Sequence, residues 1–118
     1  MRISKNSLSP SLKKTIIKSF IQTIDDMKNI DEKETFFTDF FNDIELETYS
    51  KRLAIFYWLK KRRSYENIKN NLKVSSATIA ILEKQMEKEG IRLALKKMEA
   101  EEFANVWITR IKNISILK

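Results

Sequence analysis

Residues 64–82 read Ser-Tyr-Glu-Asn-Ile-Lys-Asn-Asn-Leu-Lys-Val-Ser-Ser-Ala-Thr-Ile-Ala-Ile-Leu. Ser64 is placed to cap a short helix that holds Ile68 and Leu72. Lys73-Val74 makes a tight turn, and Ser75 or Ser76 caps a second helix. That helix carries Ile79, Leu82 and Met86 on its inner side and is expected to stop near Gly90. Apolar residues at 68, 72, 74, 79 and 82 give the period of a helix-turn-helix over about 64–90, with Val74 as the wedge between the helices. An ordinary αα-corner inside a bundle has the same period.

Immediately upstream stands Lys60-Lys61-Arg62-Arg63, at the end of another periodic segment. Asp43 is expected to cap that segment, with Glu45 and Glu47 in its first turn, where carboxylates complement the helix dipole. Leu46, Tyr49, Leu53, Phe56 and Leu59 are expected to face inward, with Ile55 and Trp58 widening the stripe. Cations also suit a helix C-terminus, at a few tenths to about 1 kcal/mol each. Two would serve that purpose; four in a row point to a second one.

Further upstream, Phe36, Phe37, Phe40 and Phe41 fall at i, i+1, i+4 and i+5 of an acidic segment, 31–43, and share one helical face. That face is a core or a dimer seam. Ser9-Pro10 opens the first helix, along which Leu12, Ile16, Ile17, Phe20, Ile21, Ile24 and Met27 recur at helical spacing. The stripe is wide for one small subunit, so we expect dimerisation through residues 9–42, with Ile16, Phe20, Ile24, Phe36, Phe37, Phe40 and Phe41 in the seam. Residues 1–8 are polar and expected to fray.

Composition narrows the chemistry. The chain has 118 residues with one Gly, one Pro, no Cys and no His. One Gly leaves no Gly-rich phosphate loop. Without Cys there is no disulfide framework, thiolate zinc site or Cys nucleophile. Without His the commonest general base and metal ligand is missing, so no enzyme activity, catalytic residue, metal or cofactor is expected. Lys plus Arg number 23 against 16 Asp plus Glu, a formal charge of +7. A/T-rich coding is a rival reading of this, suggested by 17 Lys against 6 Arg. It does not account for the distribution: residues 31–44 hold one base and five acids, residues 45–74 eight bases and three acids. Such a basic segment suits a polyanion. No stretch of 18 apolar residues and no apolar leader is visible, so no membrane is expected as a partner and the expected location is the cytoplasm.

The segment from about 36 to 82 resembles the Trp-repressor-like transcription regulators. The resemblance runs through Phe36-Phe37-Thr38-Asp39-Phe40-Phe41, Arg52-Leu53-Ala54-Ile55, Leu59-Lys60-Lys61-Arg62-Arg63-Ser64-Tyr65 and Ser75-Ser76-Ala77-Thr78-Ile79. It implies an all-α helical bundle, a single domain over 1–118, an intertwined homodimer and a helix-turn-helix that enters the major groove of double-stranded DNA. It also implies a prokaryotic regulator, a repressor associated with the nucleoid when bound. Ser76, Ala77 and Ala80 match the family's groove-facing positions. Lys60, Lys61, Arg62, Arg63, Ser64, Lys69, Lys73, Ser75, Thr78 and Lys84 are the expected phosphate contacts. Tyr65 is either another phosphate contact or a half-buried aromatic beside the cap.

Two departures bear on any effector. In the amino-acid-sensing member, two Arg side chains grip the ligand; their places here hold Lys51 and Ile81. A bidentate grip on a carboxylate needs the planar Arg fork. Ile81 is expected to pack where a ligand ring would lie, and tryptophan is not expected as corepressor. Lys73 occupies a turn position where Gly often supplies φ > 0, at a cost of about 1 kcal/mol if left-handed. Residues 91–118 form a C-terminal extension in which Ile91, Leu95, Met98, Phe103, Val106, Trp107, Ile111 and Ile114 keep a helical period. Glu99, Glu101 and Glu102 are expected on its solvated face. An interaction or structural module that reuses the helix pair is the alternative reading.

Overall fold

Side-chain caps decide where the helices begin. In the computed structural model, which describes residues 6–116, Ser9 Oγ accepts from the Leu12 N–H at 3.2 Å and Pro10 takes the first helical position of α1 (Pro10–Asp25). Asn29 caps α2 (Ile30–Phe40), its Oδ1 accepting from the Glu32 N–H at 2.9 Å. At α3 (Asp43–Lys60) the cap is Asn42 rather than Asp43. Its Oδ1 accepts from the Glu45 N–H at 2.8 Å, and Glu45 Oε1 accepts in return from the Asn42 N–H at 3.0 Å. This reciprocal pair satisfies two end donors, which Asp43 one residue later could not do with Glu45. Ser64 and Ser75 cap α4 (Tyr65–Leu72) and α5 (Ser76–Glu83), accepting from the N–H of Asn67 and Thr78, each at 3.1 Å. The helix α6 (Glu89–Ile116) completes an all-α chain, with no strand among the described residues.

Gly90 does not terminate α5. That helix stops at Glu83, overlapping turns carry the chain through Lys88, and Gly90 lies in the first turn of α6. Phase explains the break. At about 100° per residue, Ile91, Leu95 and Met98 would lie well over 90° away from Ile79, Leu82 and Met86 on one continuous helix. The interruption turns both stripes onto one core.

That core belongs to the unit beginning at Glu47, the chain dividing into two compact units at Leu46. It consists of Ile55 and Phe56 from α3, Ile68 from α4, Ile79 and Leu82 from α5 and Leu95 from α6. Tyr57, Trp58, Leu59, Tyr65, Leu72, Val74, Met86, Ile91 and Met98 pack around it. Val74 in the turn therefore contributes to the core as its spacing predicts. Tyr49 and Leu53 do not face inward; they are exposed on α3.

The unit ending at Leu46 has a different character. No residue of α1 or α2 is buried. The Phe20 ring lies 5.5 Å from Phe40 and 6.3 Å from Phe36, and Phe36 stacks on Phe40 at 5.0 Å. Phe41 leaves the helix as its extended C-cap, so only three of the four Phe are helical; its ring still meets Phe37 and Phe40 edge-on. Residues 1–5, part of the segment expected to fray, and the side chains of Phe103, Val106, Trp107, Ile111 and Ile114 lie outside the described residues.

Candidate nucleic-acid interface

Two short helices and a three-residue turn form the candidate surface. At the end of α4, Lys73 adopts the left-handed conformation, φ 55° and ψ 52°, the geometry its glycine-like position predicts. The turn delivers Ser75 as the cap of α5 and leaves Ser76 and Ala77 exposed on its first turn, with Ala80 half-buried. Short side chains there leave the end of the helix open to a partner. Thr78 is exposed as well. Its Oγ1 lies 3.0 Å from Ser75 Oγ, and the residue also lines a neighbouring pocket. Lys69, Lys73 and Lys84 are exposed, with no ion pair among the described residues.

A strap joins the pair. Tyr65 Oη, at the start of α4, donates to Glu83 Oε1, at the end of α5, across 2.9 Å. Tyr65 is thus the half-buried aromatic of the two sequence readings. Its hydrogen bond to the Glu83 carboxylate, then desolvation and the negative charge, hold the phenol above its ordinary value near 10.

The basic run is less uniform than its sequence. It closes α3 in a Schellman arrangement: the Arg63 N–H donates to Trp58 O at 3.1 Å and the Arg62 N–H to Leu59 O at 2.9 Å, with Arg62 at φ 62°. Where a hydrophobic contact usually accompanies this cap, the Arg63 guanidinium lies 4.0 Å from the Trp58 ring centroid. Arg63 Nη1 also donates to Asn67 Oδ1 at 3.3 Å. Lys60 Nζ lies 3.4 Å from Glu99 Oε2, and Lys61 Nζ 2.9 Å from Glu102 Oε2. Tyr57 Oη donates to the same Glu102 oxygen. Glu99 and Glu102 therefore reach α3 from α6 while their side chains stay 39% and 49% exposed, because the 91/95/98 stripe turns that flank of α6 toward it. Single-sequence periodicity shows which face is apolar, not which helix it meets.

Lys51 and Ile81 come together as expected, lining an open pocket of about 450 Å³ with Thr78 and Gln85. Ile81 does not fill it: the side chain remains 60% exposed at the rim. Lys51 Nζ lies 3.9 Å from Glu47 Oε2. Arg52 also lines the pocket, which the sequence did not single out, and its guanidinium lies 5.6 Å from the Tyr49 ring. Its adjacency to Lys51 on α3 was the available signal.

No described helix is long and apolar enough to cross a membrane. A family model described as Trp repressor protein matches residues 15–99. No curated protein and no solved structure matches the chain.

Proposed function

The chain belongs to the Trp repressor family, a family of DNA-binding regulators, and from that premise we propose that it is a sequence-specific transcription regulator, a repressor, that binds duplex DNA as a homodimer. The match extends over all of α2 to α5 and supports the reading more than any single residue. In this reading α4 and α5 are a helix-turn-helix and the first turn of α5 enters the major groove. Ser76, Ala77 and Ala80 meet base edges: Ala contacts thymine methyls, and Ser donates to or accepts from either base type. None offers an Arg or Asn fork, so DNA shape and bridging water supply much of the discrimination. Lys69, Lys73 and Lys84 contact phosphates, joined by the basic run and the capped helix ends at Ser64 and Ser75.

Selection of genomic fragments by the purified chain, followed by sequencing, tests this directly. A recurrent, pseudo-palindromic site is the expected result. Affinity that falls steeply with salt supports phosphate contact. A flat salt response and no enriched site would favour an interaction module, the reading to which the internal pairing of Lys60 and Lys61 gives some support.

A further inference from the structure

Half of the basic run is occupied by the chain's own carboxylates, and both carboxylates come from α6. Lys60 and Lys61 sit at the C-terminal end of α3, the end that leads into α4. Glu99 and Glu102 are three residues apart on α6 and so share a face. One lies 3.4 Å from Lys60 and the other 2.9 Å from Lys61. Glu102 is further fixed by the Tyr57 hydroxyl, while the Lys61 ammonium lies 5.4 Å from the Tyr57 ring. Glu101, between them, is exposed and makes no ion pair among the described residues. The four carboxylates of α6 are thus divided into two that meet the run and two, Glu89 and Glu101, that do not.

We infer that α6 acts as an internal counter-charge that competes with DNA phosphate for Lys60 and Lys61 and thereby lowers affinity for duplexes in general. This rests on the DNA-binding reading above. A carboxylate and a phosphate oxygen offer the same kind of acceptor to an ammonium group. The side chains of both ion pairs are roughly 40–50% exposed, so water reaches them and each pair is weak enough to exchange. A nonspecific duplex must displace the carboxylates before its phosphates can reach the two lysines. A cognate site, held in register by the first turn of α5, can use the cations of α4 and α5 without opening the pairs. The device therefore acts on sequence-independent affinity, the part that salt measures.

The test uses the full chain and a labelled mixed-sequence duplex, with fluorescence anisotropy read across a salt series. Glu99→Gln/Glu102→Gln should bind several-fold tighter at low salt. Its log–log slope should steepen by up to about 0.9 for each freed cation that finds a phosphate. Lys60→Ala/Lys61→Ala in that background should erase the gain; in the wild-type background it leaves Glu99 and Glu102 unpaired and should lower affinity while changing the salt slope little. Glu89→Gln/Glu101→Gln removes the same charge without touching either pair and should give a smaller gain. Tyr57→Phe, which alters no charge, should give part of the Glu102 effect. The inference is overturned if wild-type chain binds but Glu99→Gln/Glu102→Gln matches it, if the gain survives loss of both lysines, or if the control pair tightens binding equally. If no chain, variant or wild type, binds any duplex, the functional reading falls and the inference falls with it.

Discussion

At the scale of single residues, two side chains stand where the backbone would favour glycine. Arg62 and Lys73 are the described non-glycine residues with positive φ, at 62° and 55°. A left-handed residue with a Cβ costs about 1–2 kcal/mol. Lys73→Gly should therefore raise stability by about 1 kcal/mol, several degrees in Tm by calorimetry, while weakening binding to every duplex alike through loss of one cation. The turn residue was legible because a cation filled a position where the resemblance implies Gly. Arg62 was not, since a run of four bases reads as charge rather than as a cap. The pocket beside α5 carries the second residue-scale expectation. Lys51 lacks the planar fork, and Ile81 adds no hydrogen bond. Millimolar L-tryptophan should leave operator affinity unchanged, and calorimetry on the free protein should detect no binding tighter than millimolar. A tenfold gain in affinity, equivalent to about 1.4 kcal/mol of coupling, would show that Arg52 or another pocket group replaces the missing pair.

Among the elements, the α4–α5 pair was the most legible, since its caps and the apolar positions at 68, 72, 74, 79 and 82 all found their places, whereas on α3 the cap fell one residue early and Tyr49 and Leu53 stayed exposed. The break between α5 and α6 was not, because Gly90 offered a stop signal and the phase change between two stripes did not present itself as one. The basic run divides into functions that substitution can separate. Changing Lys60, Lys61, Arg62 and Arg63 to Ala should weaken binding to all duplexes and shrink the salt slope, by about 0.9 for each phosphate no longer neutralised. With Lys60 and Lys61 held by α6, the change should fall short of the slope that four phosphate-bound cations per subunit would give. Arg63→Ala alone should also lower Tm, since it removes the stack on Trp58, an interaction of about 0.5–1 kcal/mol. Lys69→Ala, which breaks no ion pair among the described residues, should change the slope and leave Tm in place.

For the molecule as a whole, oligomeric state is the governing expectation. Leu12, Ile16, Ile17 and Ile21 of α1 are each about half exposed, and Phe40 is 57% exposed. An apolar face this continuous is uncommon on a monomeric protein. Light scattering at tens of micromolar should report a homodimer; a monodisperse monomer would remove α1 and α2 from the proposed seam. Asp substituted for Ile16 or Phe20 should shift the population toward monomer and weaken DNA binding with it, because two half-sites are then no longer read together. Sequence periodicity exposed the excess of apolar surface on these helices. It could not show what covers that surface, since contacts between chains leave no period in one chain.

The left-handed pair at 62 and 73 also sets opposed outcomes for laboratory evolution. The chain's one glycine lies at Gly90, inside a helix, where an added Cβ would meet nothing within 4 Å. A library selected only for survival of heating should therefore converge on glycine at positions 62 and 73 and on alanine at 90. A library selected only for retention on duplex DNA should keep the cations at the first two positions and drift at the third. Thermal tolerance and retention on DNA would then be anticorrelated among clones that differ at 62 and 73, and independent among clones that differ only at 90.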